Sequence, residues 1–226
     1  MTEPVRTLNC AAARRAAEIL LEIEAIRMSP RRPFTLTSGR PSPVYIDCRR
    51  LISFPRQRAE ILDMLAALLE QNIGQDGVEC LAGGATAGIP YAAFLADRLA
   101  LPMTYIRKTA KHHGRGRRIE GVLAAGERVV LVEDMATDGV SKLDFVTAVR
   151  EAGALCRHAV VVFYYDIFPE SRALLAEHGI VLHHLTSWAG IMGCAVINEI
   201  LEPEEIREMH RFLDDPRRWQ EDSISS

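Results

Sequence analysis

The stretch RVVLVEDMATDGVSK, Arg128 to Lys142, runs four apolar residues, Val129 to Val132, into two acids and then into a segment of small and hydroxyl-bearing side chains. Such an apolar run fits a strand buried on both faces of a parallel sheet. The strand is expected to end at Glu133 and Asp134, at the rim of that sheet. In an open parallel sheet, ligands bind beyond the carboxyl ends of the strands, where a loop leads into the next helix. Here the loop Ala136 to Ser141 contains Gly139 and opens a helix, so backbone N–H groups and the positive end of the helix dipole converge on one spot. That arrangement cradles a phosphate. The two carboxylates must then face another part of the same ligand, such as sugar hydroxyls or a metal ion, and the ligand implied is a sugar phosphate. A strand-end acidic pair that only caps the next helix is the alternative.

On either side of this stretch the chain alternates. Strand VECLA (78–82), a helix from Ile89 to Ala100, strand MTYI (103–106) and a long polar loop precede it. Helix SKLDFVTAVREAG (141–153), strand HAVVVFYY (158–165), a short helix near 169–178 and strand IVLHHL (180–185) follow. Near-continuously apolar strands separated by helices mean an α/β fold, a parallel sheet covered by helices on both faces. Upstream, residues 9–27 and 55–72 carry helical periodicity, and PFTLTSGRPSPVYIDCRRL (33–51) reads as two short strands around Ser38, Gly39 and Arg40. One domain over residues 1–226 is expected: N-terminal elements over about 1–55, a core sheet over about 56–200, and from 201 a surface helix that frays into polar residues.

Composition narrows the class. A formal charge of -3 over 226 residues disfavours general nucleic-acid affinity, so any anion site is local. The five cysteines are widely spaced without a C-x-x-C pair, against a disulfide framework or a zinc knuckle. No apolar run approaches a membrane span, and the N-terminal segment is broken by Arg14, Arg15 and Glu18, so a cytoplasmic protein is expected.

Two further loops belong to the same rim. RKTAKHHGRGRRIEG (107–121) gathers Arg107, Lys108, Lys111, Arg115, Arg117 and Arg118 with His112 and His113, and no acid before Glu120. Such a charge density repels itself unless an anion neutralises it, and Gly114 and Gly116 suit a lid that closes over substrate. A solvated basic loop is the plainer alternative. The segment GGATAGIP (83–90) lets backbone approach a ligand closely. Two small-residue loops and one basic loop at strand ends suggest a ligand with two separated phosphate groups.

VVLVEDMATDGVSK resembles the signature of phosphoribosyltransferases. FTLTSGRPSPVYIDCRRL with RKTAKHHGRGRRIEG resembles, more narrowly, the orotate phosphoribosyltransferase family, a pentosyltransferase family of pyrimidine synthesis. The resemblance, from about Phe34 to Trp188, implies the type I phosphoribosyltransferase fold with a small N-terminal α/β hood. It implies transfer of a phosphoribosyl group from phosphoribosyl pyrophosphate (PRPP) to orotate with Mg2+, giving orotidine 5'-monophosphate and pyrophosphate. It also implies a homodimer whose lid, residues 107–121, reaches the neighbouring subunit's site.

By the same resemblance, Glu133 and Asp134 bind the ribose hydroxyls, with PRPP-borne magnesium nearby and no direct protein metal ligand. PRPP is further held by Met135 and Ala136, and Thr137, Asp138, Gly139, Val140 and Ser141 wrap its 5-phosphate. Ala85, Thr86, Ala87 and Gly88 meet the pyrophosphate through backbone groups, with Arg107, Lys108, Lys111 and His113. Lys111 and Asp134 are the catalytic candidates, and orotate lies between Thr37 and Ser38 on one side and Thr137 on the other. Cations aimed at the departing pyrophosphate stabilise the charge that develops there, and orotate itself is the nucleophile.

Three residues depart from the family pattern. Ala87 stands where some members place a lysine, His112 where an acid is frequent, and Asp138 lies inside the phosphate loop, where its carboxylate must turn outward or repel the ligand. No match for an arginine that holds the orotate carboxylate follows VVVFYYD. A phosphoribosyltransferase for another base, and an RNA-binding regulator with this fold, remain the competing readings. The basic loop's lack of aromatic residues speaks against the second.

Overall fold

In the computed structural model, which describes residues 5–36, 38–109 and 118–225, one seven-stranded sheet has the order β1-β11-β10-β9-β6-β7-β8. Its strands are β1 (Val5–Thr7), β6 (Cys80–Gly84), β7 (Met103–Ile106), β8 (Ile119–Glu120), β9 (Arg128–Ala136), β10 (Leu155–Tyr164) and β11 (Val181–Ser187). All neighbours pair parallel except β7 and β8. Side chains alternate across the pleat, so Val129 and Leu131 pack into one core and Val130 and Val132 into another. Burying each such side chain contributes about 1.5–3 kcal/mol, which is why the apolar run sits at the centre of the sheet.

The first face is covered by α4 (Val140–Glu151) and α5 (Pro169–Glu177). The second face carries α1 (Cys10–Glu22), α2 (Pro55–Asn72), α3 (Gly88–Leu99), α6 (Trp188–Ile197) and α7 (Pro203–Asp214), followed by α8 (Pro216–Ser225). The hood consists of two antiparallel pairs, β2 (Ile26–Met28) with β5 (Val44–Ile46) and β3 (Phe34–Thr35) with β4 (Pro41–Ser42). The second pair is the hairpin expected around Ser38, Gly39 and Arg40. A short 3-10 turn, Cys48–Ser53, joins the hood to α2.

Several elements differ from their expected bounds. The first helix stops at Glu22 rather than continuing to residue 27, because Glu24 adopts a left-handed φ of 54° and turns the chain into β2. Strand β6 includes Gly83 and Gly84, read from sequence as loop, since both pair with β7. Helix α6, WAGIMGCAVI, was not anticipated: it is apolar nearly all round and lacks the polar face that marks a surface helix. The C-terminal residues do not fray. Trp219 of α8 is buried edge-on against Phe212 of α7, and a capping box between Glu202 and Glu205 starts α7. Cys10 is exposed and the other four cysteines are buried and free.

Candidate active site

Strand β9 does not end at its acids. Pairing with β10 continues through Val161 opposite Glu133 and Phe163 opposite Met135 to Tyr164 opposite Ala136. Glu133 and Asp134 therefore lie within the strand, 7% and 8% exposed, rather than on an open rim. Adjacent strand residues face opposite sides of the sheet, so the two acids meet different surroundings. Glu133 faces α4, where Lys142 Nζ donates to its Oε2 at 2.9 Å and to Ser141 Oγ at 3.2 Å. Burial pushes the Glu133 carboxyl above the usual carboxylate range, and Lys142 acts against that shift. Glu133 Oε1 is buried without a hydrogen-bond partner.

Gly84 and Gly88 make room for that carboxylate. A Cβ at Gly84 would overlap Glu133 Oε1, and one at Gly88 would sit 2.6 Å from the same oxygen. Asp134 accepts from the Met135 amide at 2.8 Å. Burial raises its carboxyl too, opposed first by Lys142 and, less strongly, by Arg49. The expected assignment of both acids to ribose hydroxyls is thus narrowed: one oxygen of Glu133 is already committed to Lys142.

Beyond the strand, Gly139 takes φ +83° and α4 begins at Val140. The sequence leaves Asp138 either turned outward from the phosphate cradle or repelling its ligand, and an outward turn is the expectation. Instead its Oδ1 accepts the Val140 amide at 3.1 Å, an Asx-type turn that takes one of the helix-end donors a phosphate would use. Ala85 is fixed by its amide on Ile106 C=O at 2.8 Å, and the Ala85–Thr86 peptide is cis.

The stem of the basic loop is stitched shut. Arg107 N–H donates to Arg118 C=O at 2.8 Å, and Arg118 Nε returns a bond to Arg107 C=O at 3.0 Å. Arg107 pairs with Glu120 at 3.3 Å, and Arg118 forks onto Asp144 at 2.8 and 2.5 Å. Two of the loop's cations thus have acidic partners in the fold, one of them from α4, which the local sequence did not reveal. Lys111, His112 and His113 lie outside the described residues, as does Thr37.

A cavity of about 430 Å³ opens at this end of the sheet. It brings together Ala85, Thr86, Ala87, Lys108, Glu133 and Ser141 from the expected site. Gly88, Arg107, Asp134, Met135, Ala136, Thr137, Asp138, Gly139 and Val140 do not line it. Ser38 is exposed on the hood hairpin, away from this lining. Arg49, Asp144 and Phe145 also line the cavity and were not singled out from the sequence. Arg49 stood in the segment that carries the family resemblance and Asp144 in one read as a helix, and only the tertiary fold brings the two to one cavity. A larger cavity of about 550 Å³ beside the hood is edged by Glu18, Glu22 and Glu24, which suits no phosphate. Among the described residues no cluster of three or more metal-ligating side chains occurs.

The family model for the phosphoribosyl transferase domain matches residues 56–173. A protein of Roseobacter denitrificans named orotate phosphoribosyltransferase is 52% identical over 209 residues, covering 92% of this chain and 93% of its own. Among solved structures, orotate phosphoribosyltransferase from Aeropyrum pernix shares 34% identity at a TM-score of 0.66, covering 78% of this chain and 96% of that one. The Mycobacterium tuberculosis enzyme in complex with PRPP shares 25% identity at a TM-score of 0.57, over 78% of this chain and 98% of that one. A cradle of small-residue loops at the ends of β6 and β9, set in a sheet of this order and matched along nine-tenths of the chain, places the protein in the orotate phosphoribosyltransferase family.

Proposed function

We propose that this chain transfers the phosphoribosyl group of PRPP to orotate: the bond from ribose C1 to pyrophosphate breaks, and an orotate ring nitrogen forms the new bond to C1. The observation that carries this reading is the convergence on one cavity of Ala85–Ala87, Lys108 and Ser141, which follow the carboxyl ends of β6, β7 and β9, with Glu133 from within β9. The site then divides by charge. Backbone amides of Ala85 to Gly88 and the cations Arg107, Lys108, Lys111 and His113 receive the pyrophosphate, where negative charge grows as the bond breaks. Met135, Ala136 and the turn Thr137 to Ser141 take the ribose 5-phosphate, and Asp134 with Glu133 Oε1 faces the ribose. Orotate stacks between Thr37 and Ser38 and Thr137.

Magnesium carried by PRPP supplies further neutralisation of the departing group. The unpartnered Oε1 of Glu133 fits a water of such an ion or a ribose hydroxyl. Among the described residues no helix is long and apolar enough to cross a membrane, and a cytoplasmic setting is part of the proposal. Loss of orotate absorbance that requires both PRPP and magnesium tests it, with adenine and other bases as the comparison. Consumption of another base but not orotate would overturn the base assignment.

The proposal includes a homodimer in which Lys111 serves the partner's site. Lys111→Ala and Asp134→Asn homodimers are each expected to be nearly inactive. Random re-pairing should restore roughly a quarter of wild-type activity, because half of the dimers then hold one intact site. No recovery in confirmed mixed dimers would assign the lid to its own subunit.

A further inference from the structure

Two of the side chains lining the 430 Å³ cavity are positively charged, Arg49 and Lys108. Its acids are matched elsewhere: Glu133 by Lys142 and Asp144 by Arg118. With those carboxylates held, the cations left at the cavity are Lys108, from the segment after β7, and Arg49, from the 3-10 turn, whose own partner Asp47 engages only its Nε. The same lining includes the loop Ala85 to Ala87, whose side chains offer three methyl groups and one hydroxyl. An anion as highly charged as pyrophosphate has no side-chain cation to meet on that loop.

Arg49 is held in place for this work. The 3-10 turn that carries it is fixed on both sides: Tyr91 of α3 donates to Cys48 C=O at 2.6 Å, and Arg50 Nε donates to Ile23 C=O at 2.9 Å. Cys48 and Leu51 are fully buried, whereas the Arg49 side chain remains 62% exposed at the cavity. Asp47 Oδ1 accepts from Arg49 Nε at 2.6 Å. That contact orients the guanidinium by one nitrogen, and among the described residues its two terminal nitrogens have no hydrogen bond. A planar fork held by its Nε is suited to bidentate phosphate recognition.

We propose that Arg49 is a pyrophosphate-binding residue, closing from the hood the cradle that Ala85, Thr86 and Ala87 open from the sheet. The proposal rests on the phosphoribosyl-transfer reading given above. Arg49 supplies the charge that an alanine at position 87 does not, and Asp47 is its positioning residue. The guanidinium's hold on its proton is strengthened first by Asp47 and, more weakly, by the field of Asp134. The guanidinium thereby screens that carboxylate from the incoming anion.

The test is calorimetric titration of magnesium pyrophosphate into the full chain, with the KM values for PRPP and orotate measured in parallel. Arg49→Gln is expected to weaken pyrophosphate binding and raise the PRPP KM by about tenfold or more, as loss of one charge-assisted contact implies. The orotate KM and the melting temperature should stay close to wild type, because the Arg49 side chain is 62% exposed and an ion pair open to solvent on one side contributes little. Arg49→Lys should fall between. Adding Ala87→Lys to Arg49→Gln should recover most of the lost affinity, which a purely structural arginine would not permit. Pyrophosphate affinity within about twofold of wild type in an active Arg49→Gln protein would overturn the proposal. So would a rise confined to the orotate KM, which would move Arg49 to the base. A wild-type chain that neither binds pyrophosphate nor uses PRPP would instead overturn the phosphoribosyl reading itself, and this inference with it.

Discussion

Lys142 Nζ and Glu133 Oε2 meet at 2.9 Å with their side chains only 5% and 9% exposed, a buried ion pair that links the first turn of α4 to the middle of the acidic strand. Removing one partner of such a pair typically costs about 3–5 kcal/mol, since the other charge is left buried alone. Lys142→Met is therefore expected to lower the urea midpoint sharply, and Glu133→Gln with Lys142→Met to regain much of the loss. The pH profile gives a second readout. Burial already raises the Glu133 and Asp134 carboxyls and Lys142 opposes it in both, so without Lys142 they ionise only at higher pH. The acidic limb of kcat/KM for PRPP should move to higher pH in Lys142→Met, and an unmoved limb would show that neither carboxylate must be ionised for turnover.

Asp138 sits on the amide of Val140. A 5-phosphate in this turn must displace that carboxylate or accept its repulsion. Asp138→Asn keeps the oxygen for the turn and removes the charge, so PRPP should bind about threefold tighter or better, a gain of under 1 kcal/mol at the lower bound. Equal dissociation constants for the two proteins would mean the carboxylate swings clear at no cost.

Gly84 and Gly88 face the same oxygen but differ in what surrounds them. A Cβ at Gly88 would also overlap the carbonyl oxygen of Val132, which is backbone in the central strand and cannot give way. At Gly84 the added atom meets side chains, Glu133 and, at 2.7 Å, Phe145. Gly88→Ala is expected to destabilise the fold by more than the roughly 1–3 kcal/mol typical of overpacking. Gly84→Ala should cost less stability and more activity, because Glu133 moves. Melting temperatures and kcat measured side by side check the order.

The histidines of β10 and β11 make stability depend on acid. His158 Nδ1 lies 3.0 Å from His183 Nε2, and burial pushes the His183 ring down to about 3 and His184 to about 4, with Arg6 also repelling a proton from His158 and His183. The unfolded rings accept a proton near the ordinary value of 6.5. Stability from the neutral rings is thus present above that pH and is lost as pH falls toward the folded values. Glu133 and Asp134 act in the opposite sense, since their raised carboxyls lose stability as pH rises through a window just above the ordinary carboxylate range. Between pH 7 and 5.5 the histidines should dominate, lowering the melting temperature by roughly 5–10 °C. His184→Gln should flatten that slope, and an equal slope in the variant would remove His184 from the account.

The parallel sheet was legible because the apolar run of β9 and its neighbours reflects burial on both faces, which a single sequence displays directly. The turn after β9 was legible for a related reason: Gly139 and the helix start are local chemistry. What escaped were features set by distant partners. Strand β9 continues through Glu133 only because β10 offers Val161 and Phe163 to pair with. Lys142 stood in the quoted stretch, yet an ammonium at the head of a helix reads as solvated until the fold closes Glu133 over it. Arg118 lost its place among the lid's unpaired cations to Asp144, twenty-six positions on. Arg49 faces the site only because Cys48 and Leu51 anchor its turn from below.

The first strand has a consequence for how the chain is made. Val5 to Thr7 pair with Leu182 to His184, and Thr7 Oγ1 bonds Leu185 C=O across 178 positions. A ribosome releases β1 long before its sheet neighbour β11 exists. Bringing ends that far apart together costs roughly 4–5 kcal/mol of chain entropy. The hood is strung between β1 and α2, so it hangs from one anchored end until synthesis is nearly complete. Only when β11 emerges does the sheet gain its last edge, and the hood over the cavity becomes a closed loop rather than a tail.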